Sequence, residues 1–406
     1  MNENVLYISY DGMTDPLGQS QVIPYVEGLT KKGYKFTVLS YEKPDRYKAF
    51  GRKIKKQLEE SDIKWKPMMY HKKFSVLATL YDLFRGFLFL LVFIPRKKIK
   101  LIHCRSYISS ILGLIFKKLY GTKFIFDMRG FWADERIEGG IFKNRFLYKF
   151  FKWLEKQFLL NADATISLTV NAIEEMKTWP YMSEEASGKI HHITTCSNTT
   201  FYNKTFNSRI NKDFIDDKIT FLYIGSIGPW HSYKEITGFV RYAYKNYPGS
   251  FFRMIINWGI EDFEKFVDEE KFDRNRFFIG SISHKEIPDA LQDADIGFFF
   301  IPPVYAKKSS SPTKMGEMLA AGIPIITGHS IGDVDYLLEK HKIGCIIKEF
   351  NPASFKTSIE SVKYLIKENK KELMDRCLYV ANDYFSLENG IERYYLIYRN
   401  LLSDAR

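Results

Sequence analysis

Two apolar segments, separated by a polar loop and a helical pattern, constrain this chain more than any other feature. ADIGFFFIPP (294–303) and IPIIT (323–327) are bounded by breaker residues, as is typical of strands covered on both faces. Between them, Ser311 is a good helix N-cap, Pro312 suits the first helical position, and the Gly-x-Pro that begins at Gly322 ends the helix after about three turns. The pattern predicts a strand-helix-strand unit of an open parallel sheet. Such sheets bind ligands at the carboxyl ends of their strands, beside helix N-termini.

Lys314 and Glu317 are three residues apart, so one side of this helix carries a cation and a carboxylate near its N-terminus. One interpretation is a binding site in which Lys314 neutralises a diphosphate and Glu317 accepts hydrogen bonds from the two hydroxyls of a ribose. The alternative is an ordinary surface ion pair, which contributes only a few tenths of a kcal/mol. The neighbouring serines, Pro312 and the buried strands favour the binding site.

The segment SSSPTKMGEMLAAGIPII (309–326) resembles the donor-site signature of glycosyltransferase family 4, a family of retaining enzymes with the GT-B fold. Its Pro-Thr-Lys is similar to that of a bacterial surface-polysaccharide subgroup. Glu317 matches the second glutamate of the family, whereas Ser309 stands where the first glutamate is usual. The resemblance implies an α/β chain of two Rossmann-like domains whose parallel sheets face a central cleft. It also implies that Lys314 and Glu317 act in catalysis and that the donor is bound by Ser309, Ser310, Ser311, Pro312, Thr313, Lys314 and Glu317.

The length of 406 residues exceeds what one hydrophobic core usually serves and suits two domains of about 200 residues. We predict the boundary near Asn203, because the stretch HHITTCSNTTFYNK (191–204) lacks apolar periodicity. Residues 1–203 then form an acceptor domain and residues 204–383 a donor domain. The resemblance implies a last helix, over about 384–406, that completes the first domain.

The first apolar strand, VLYIS (5–9), precedes DGMTDPLGQSQ, which we predict to be a loop. The resemblance implies a glycine-rich loop here, in which Gly18 allows the backbone to approach the donor. Gln19, Ser20 and Gln21 would then offer polar contacts to the acceptor. The alternative for Gly18 is a simple tight turn.

Two further strands of the first half, KLIHCRS and KFIFDMRG, end in polar residues. The carboxyl ends of parallel strands share one edge of a sheet, so His103, Arg105, Asp127 and Arg129 should collect there. The segment MRGFWADER is similar to one typical of the polysaccharide subgroup. We expect Asp127 and Arg129 to act in catalysis, and His103 and Arg105 to bind the acceptor. For His103, a structural hydrogen-bonding role is the alternative.

The second half opens with the strand ITFLYIG. Members of the family commonly place an arginine after the first glycine and a lysine a few residues later, both on the donor phosphates. Here Ser226 replaces the arginine, Gly228 can offer backbone N–H groups, and His231 or Lys234 is the nearest basic side chain. We therefore expect these residues to bind the donor and Lys314 to carry more of the phosphate charge.

We expect neither a metal nor a cofactor, since the nucleotide sugar is a co-substrate. The four cysteines are far apart without a Cys-x-x-Cys pair, which disfavours a zinc site or a disulfide framework. The acid pairs Asp293/Asp295 and Asp333/Asp335 begin a strand and a helix and do not form a metal-ligand pattern. The cysteines, and an N-terminus without a signal-peptide pattern, favour the cytoplasm.

The net charge is +12, and the stretch from Lys43 to Lys73 holds eleven basic and four acidic residues. A basic surface suits nucleic acid, anionic lipid or simple solubility, and without a nucleic-acid motif we expect no nucleic-acid partner. The following segment, SVLATLYDLFRGFLFLLVFIP (75–95), has an uninterrupted apolar part of about ten residues, short of the roughly 20 that span a bilayer. It is either a buried Rossmann helix or an interfacial element. Together with the basic stretch it predicts reversible, peripheral binding to the inner face of the cell membrane.

These features predict a retaining glycosyltransferase that moves a sugar from a nucleotide-diphosphate sugar to a glycan or lipid-linked acceptor in O-antigen, capsule or exopolysaccharide synthesis. One rival is a GT-B nucleotide-sugar epimerase, which has no acceptor site. The other is a basic membrane-surface protein with a degenerate site, which Ser226 and Ser309 would support because both stand at positions that are normally charged.

Overall fold

A computed structural model describes residues 3–71, 75–227 and 232–403 of the chain. The chain packs as two compact α/β units. The first contains the residues up to Thr195 together with those from Leu387 onward, and the second contains Cys196–Ser386. Each unit has one parallel sheet, so the prediction of two Rossmann-like halves is confirmed.

The sheet of the first unit has seven strands in the order β3-β2-β1-β4-β5-β6-β7. The strands are β1 (Asn4–Ser9), β2 (Lys35–Glu42), β3 (Lys64–Met69), β4 (Leu101–Arg105), β5 (Lys123–Asp127), β6 (Ala164–Ser167) and β7 (Ile190–His192). The helices are α1 (Pro16–Gln21), α2 (Ile23–Lys31), α3 (Pro44–Glu60), α4 (Ser75–Lys97), α5 (Ser106–Tyr120), α6 (Trp132–Glu138), α7 (Arg145–Asn161), α8 (Val170–Lys177) and α9 (Glu184–Gly188).

The sheet of the second unit has six strands in the order β10-β9-β8-β11-β12-β13. The strands are β8 (Thr220–Gly225), β9 (Phe251–Ile256), β10 (Phe277–Gly280), β11 (Ile296–Phe299), β12 (Ile325–Gly328) and β13 (Gly344–Ile347). The helices are α10 (Asn203–Ile210), α11 (Tyr233–Asn246), α12 (Ile260–Glu269), α13 (Ile287–Ala290), α14 (Thr313–Ala320), α15 (Val334–His341) and α16 (Pro352–Tyr384), which bends at Asn369. The last helix, α17 (Leu387–Ser403), packs in the first unit against α2.

The apolar strands form where the sequence pattern predicts them because both of their faces are covered. In β8, Phe221, Leu222 and Tyr223 are fully buried although they alternate between the two faces of the sheet. Helix ends also follow local signals: α5 stops at Gly121, which has the left-handed φ of +67° that glycine tolerates at no steric cost.

Three local predictions are wrong. Helix α14 begins at Thr313 with Pro312 as its N-cap, one residue later than predicted, so Ser311 does not cap it. Part of the predicted loop after β1 is helical, because Asp15 and Pro16 start α1, which contains residues 18–21. His191 and His192, predicted to be in a linker, pair in β7 with β6.

Candidate functional site

In the second unit, β8 lies at the point where the strand order reverses, with β9 on one side and β11 on the other. In open parallel sheets, ligands bind at such a switch point, beyond the carboxyl ends of the two central strands. Here β8 ends at Gly225, and the connection after β11 leads into α14. The fold therefore brings Gly225 and the N-terminal turn of α14 together.

Lys314 is the side chain that enters this switch point. A Cβ atom placed on Gly225, whose φ is +155°, would lie 2.7 Å from Lys314 Nζ. The ammonium group also lies 5.3 Å from the ring centre of Tyr223 and 5.5 Å from that of Phe299. It is buried and has no hydrogen-bond partner among the described residues, which do not include 228–231. Burial lowers the pKa of Lys314 to about 8, while Glu317 acts in the opposite direction.

Glu317 is one turn further along α14. Burial raises the pKa of its carboxyl group to about 7, although Tyr202 and Lys314 favour the charged form. The Tyr202 hydroxyl is directed at this carboxylate without a hydrogen bond of standard geometry. The Lys314 ammonium group is therefore shielded from solvent although both residues are partly exposed, which disfavours the alternative of a solvated surface ion pair. A buried, unsatisfied ammonium group of this kind is suited to receive an anion.

The loop before α14 places its polar groups at different depths. Ser309 is buried and its hydroxyl donates a hydrogen bond of 2.7 Å to the Ala306 carbonyl oxygen. Ser310, Ser311 and Thr313 are partly exposed, and Pro312 offers no side-chain cap to the helix. Ser309 thus has an internal partner, and the other three residues lie at a helix N-terminus whose N-cap residue gives no side-chain hydrogen bond.

The predicted donor contacts after β8 are only partly described. Gly228 and His231 lie outside the described residues. Lys234 is exposed on the first turn of α11. Ser226 accepts a hydrogen bond of 2.8 Å from the Tyr223 hydroxyl through its carbonyl oxygen, which holds the ring beside Lys314.

The second part of the predicted polar loop of the first unit is the helix α1. A Cβ atom on Gly18 would lie 2.2 Å from the Gly12 carbonyl oxygen, so the backbone that approaches this glycine closely belongs to the chain itself. Gln19 donates to the Thr14 carbonyl oxygen at 3.0 Å and Ser20 to that of Pro16 at 2.8 Å, while Gln21 is buried. This close approach of the backbone explains why a glycine occupies position 18. The contact of Gly18 with the donor stays a prediction.

His103 and Asp127 lie together inside the first unit, as predicted, but they are buried there. His103 Nδ1 is 2.6 Å from the Tyr398 hydroxyl of α17, and His103 Nε2 is 3.4 Å from Asp127 Oδ2. The Tyr394 hydroxyl donates to Asp127 Oδ2 at 3.3 Å. Burial lowers the pKa of His103 and so favours the neutral imidazole. These contacts agree with the alternative considered for His103, which is a structural hydrogen-bonding role.

Two arginines accompany this pair at the carboxyl ends of β4 and β5. Arg129 has a left-handed φ of +57° and its Nη1 is 3.9 Å from Asp127 Oδ1. Burial opposes ionisation of Asp127, yet Arg129 and His103 together hold its pKa below the usual range. Arg105 is 4% exposed, and within the described residues its Nε and Nη1 atoms form no hydrogen bond, although Nε is 3.6 Å from Asp11 Oδ2. His103 Nε2 is the other nitrogen of this group without a hydrogen bond there.

The sequence analysis missed four residues that define these two sites. Gly225 and Phe299 end the strands that flank Lys314, and Tyr394 and Tyr398 lie on α17 opposite His103. The glycine at the end of an apolar strand was the only available signal, because it permits close approach of another group. Within the described residues, no group of three His, Cys, Asp or Glu side chains could hold a metal ion.

No protein-family model matches the chain, and no curated protein matches it by sequence. Solved structures do match it over nearly its whole length. Sucrose-phosphate synthase from Thermosynechococcus elongatus has a TM-score of 0.72 at 14% identity, with 99% of this chain and 100% of that chain covered. HepE from Anabaena, solved in complex with UDP and glucose, has a TM-score of 0.66 at 11% identity, with 98% and 100% covered.

A third solved structure is a protein from Listeria monocytogenes assigned as a UDP-N-acetylglucosamine 2-epimerase. Its TM-score is 0.60 at 12% identity, with 100% of this chain and 98% of that chain covered. At such identities the likeness defines the fold: the chain has the GT-B fold, with two Rossmann-like units of seven and six parallel strands.

Proposed function

We propose that this protein is a retaining glycosyltransferase that transfers a sugar from a nucleotide-diphosphate sugar to a glycan or lipid-linked acceptor. The observation that carries the proposal is the buried Lys314 ammonium group, which lies against Gly225 at the switch point of the second sheet and has no hydrogen-bond partner in the described part of the chain. The neighbouring HepE structure contains UDP and glucose, which supports a nucleotide sugar as the donor.

The chemistry follows from the charge that develops on the leaving group. When the bond between the sugar and the diphosphate breaks, negative charge grows on the diphosphate, and a preorganised cation in a dry site stabilises that charge strongly. Lys314 and the uncapped N–H groups at the start of α14 supply this stabilisation. Glu317 accepts hydrogen bonds from the ribose hydroxyls. The family resemblance further implies front-face attack, in which the leaving diphosphate takes the proton of the acceptor hydroxyl and the sugar keeps its anomeric configuration.

The finer assignments rest on the resemblance. We propose a role in bacterial surface-polysaccharide synthesis, on the cytoplasmic side of the membrane. We also propose that no metal takes part, because Lys314 can fill the charge role of a divalent cation at the diphosphate. Arg105, with unused donors at the carboxyl end of β4, is the best candidate in the first unit for an acceptor contact.

The epimerase remains the second candidate, since one neighbouring structure is assigned to that activity. A degenerate site is less compatible with Lys314, because an unpaired buried charge destabilises the fold. In a protein that binds no ligand, an apolar residue could replace this lysine without loss of function. Incubation with a panel of nucleotide sugars, followed by chromatography of the products, distinguishes the three. Transfer or slow hydrolysis releases the nucleoside diphosphate, epimerisation yields a new sugar nucleotide, and a degenerate site gives no turnover.

The panel should include the variants Lys314→Ala and Glu317→Ala. We expect each to lower turnover by about 10²–10³-fold, the usual loss when a group that contacts developing charge is removed. Wild-type turnover of either variant at subsaturating donor would exclude this site from the mechanism.

A further inference from the structure

Helix α4 has a row of large apolar side chains that the first unit leaves exposed. The row runs along the helix in steps of three and four residues, which places its members on one side. Leu77 is 67% exposed, and the row continues through Tyr81, Phe84, Leu88 and Val92. The opposite side packs into the unit through Leu83, Leu90, Phe93 and Ile94. The expected buried Rossmann helix is therefore only half buried.

Helix α7 has a second exposed row of the same kind. Phe146 is 75% exposed and Trp153 is 54% exposed, and Phe150 lies between them on the same side of the helix. The rings of Phe150 and Trp153 stack at 6.1 Å. Helix α5 lies between α4 and α7 and adds Leu119 and Tyr120. These three helices carry half of the large apolar side chains that are exposed among the described residues.

The topology of the sheet puts the three helices on one face. The crossovers from β3 to β4, from β4 to β5 and from β5 to β6 all advance in the same direction through the sheet. Because parallel crossovers are right-handed, their helices lie on the same side. We call this surface the α4–α5–α7 face.

The exposed charged residues of these three helices are all basic. The three helices contain nine basic residues and two acidic ones, Asp82 and Glu155, and both acids are fully buried. The basic residues are Arg85, Arg96, Lys97, Lys117, Lys118, Arg145, Lys149, Lys152 and Lys156. Lys117 pairs with Asp163 and Lys152 with Asp134, which leaves seven of these cations outside such pairs within the described residues. An extended apolar surface with an excess of cations marks an interaction site for an anionic, amphiphilic partner.

Most of the basic stretch from Lys43 to Lys73 does not belong to this face, and Lys72 and Lys73 lie outside the described residues. Most of the stretch forms α3, and the crossovers from β1 to β2 and from β2 to β3 run in the opposite direction through the sheet. Helix α3 is therefore on the other side. It carries six basic and three acidic residues, some of them paired within the helix as in Lys55–Glu59 and Lys56–Glu60. The apolar segment and the basic helix that precedes it along the chain therefore lie on opposite sides of the sheet.

By length and composition, α4 is the one described helix that could cross a membrane, over Val76–Lys97, and 33% of its most apolar window is buried. Its contacts favour a position along the surface. The Asp82 carboxylate accepts hydrogen bonds from the Tyr10 hydroxyl at 3.2 Å and from the His71 backbone N–H at 3.1 Å. Crossing the bilayer would break these bonds and leave a carboxylate in hydrocarbon, which is costly.

We propose that the α4–α5–α7 face binds the surface of an anionic lipid bilayer. The apolar rows of α4 and α7 enter the boundary between headgroups and acyl chains, and the lysines and arginines contact the lipid phosphates. A second copy of the chain fits this face less well, because two such faces would bring like charges together. The proposal is independent of the catalytic proposal, since it rests on other residues and is measured by binding.

The test is flotation of the full-length protein with vesicles of phosphatidylglycerol or of phosphatidylcholine. We expect binding to the anionic vesicles only, with release at about 0.5 M salt, because screening is nearly complete there. The variant Leu77→Ser/Phe84→Ser/Phe146→Ser/Trp153→Ser should bind at least about tenfold more weakly, since it removes several buried apolar groups from the bound state. Two controls should bind like the wild type: Lys53→Glu/Lys56→Glu on α3, and Trp258→Ser/Tyr364→Ser, two exposed aromatic residues of the second unit.

A direct readout comes from Trp153. Lipids brominated near the headgroup should quench part of the protein's fluorescence, and this part should be lost in Trp153→Phe. The proposal is overturned if the α3 variant loses binding while the fourfold variant keeps it, or if the protein binds neither vesicle type. It is also overturned if ultracentrifugation shows a dimer that only the fourfold variant dissociates, because the face would then be an interface between two copies.

Discussion

The buried ammonium group of Lys314 should lower the stability of the ligand-free fold and favour the binding of an anion. This group is desolvated and none of the described residues forms a hydrogen bond with it, so the ligand-free fold should be less stable than it would be with an apolar side chain at this position. The same desolvation strengthens its attraction for an anion. Stability and ligand binding should therefore respond to its removal in opposite directions.

Lys314→Met tests this opposition. We expect the free energy of unfolding of the ligand-free protein to stay the same or to rise by about 1–3 kcal/mol, because a buried unpaired charge is removed. Turnover should fall by about 10²–10³-fold. Denaturant unfolding and initial rates measure the two effects. Lys265→Met is the control, since that side chain is 75% exposed and both quantities should stay constant. A stability loss together with normal turnover would contradict the proposed role.

The titration of Lys314 gives a second prediction. Its pKa is about 8 in the folded protein and 10.5 for an ordinary lysine, so between these values the unfolded chain binds more protons than the folded one. The stability of the ligand-free protein should therefore rise with pH in this window. The affinity for a nucleoside diphosphate should fall above about pH 8, by up to about tenfold per pH unit, because the cation is lost. Calorimetric titration from pH 7 to pH 9.5 measures the affinity. An equal fall in Lys314→Met would assign it to another group.

At the scale of elements, Gly225 at the end of β8 contacts the side chain of Lys314 at the start of α14. A methyl group on Gly225 would displace the flexible end of Lys314 and would hold a strained backbone conformation. We expect Gly225→Ala to lower stability by about 1–3 kcal/mol and the affinity for a nucleoside diphosphate by more than tenfold.

The matched control for that substitution is Gly238→Ala in α11. Its new methyl group would make only an ordinary contact of 3.8 Å with Phe355, and alanine favours the helix by about 0.5–1 kcal/mol. If Gly225→Ala acts through the ammonium group, it should not weaken binding further in a Lys314→Met background. Additive losses would show that the glycine contributes in another way.

Helix α17 is joined to the sheet of the first unit by hydrogen bonds of its tyrosines. Tyr398→Phe removes the hydroxyl beside His103 Nδ1 and leaves a buried polar atom without its partner. We expect a loss of about 1–3 kcal/mol in the free energy of unfolding. Tyr395→Phe on the same helix removes the same atom from a partly exposed ring and should cost less. Equal losses for the two variants would mean that the contact with His103 adds no stability.

At the scale of the whole molecule, the position of the positive charges bears on whether the activity needs a metal ion. The described residues contain no cluster of ligands for a metal ion, whereas Lys314 lies at the proposed diphosphate position. We predict that EDTA leaves the transferase activity unchanged, because the positive charge at the leaving group belongs to the protein. Initial rates before and after chelation measure this. Recovery of a chelated, inactive enzyme by added Mn²⁺ would reveal a metal site.

Local patterns in the sequence determined the two parallel-sheet units and the chemistry of α14. Strands such as β2 and β5 are short apolar runs between breakers, and Lys314 and Glu317 share a helix side because of their spacing. These features depend on neighbours within a few residues, which a single sequence displays directly. The predicted start of α14 and the predicted loop at α1 were wrong, since a proline or an N-cap residue permits more than one first helical residue.

Only the tertiary structure decided which distant groups meet and which side of the sheet each helix covers. His103 and Tyr398 are 295 residues apart, and Lys314 meets Gly225 across the boundary between two strand-helix units. The desolvation that lowers the pKa of Lys314 comes from this packing. Strand order and the handedness of crossovers separate α3 from the apolar α4, although the two helices are neighbours along the chain. The physical reason is that burial and contact across a sheet are properties of strand order, which local periodicity does not contain.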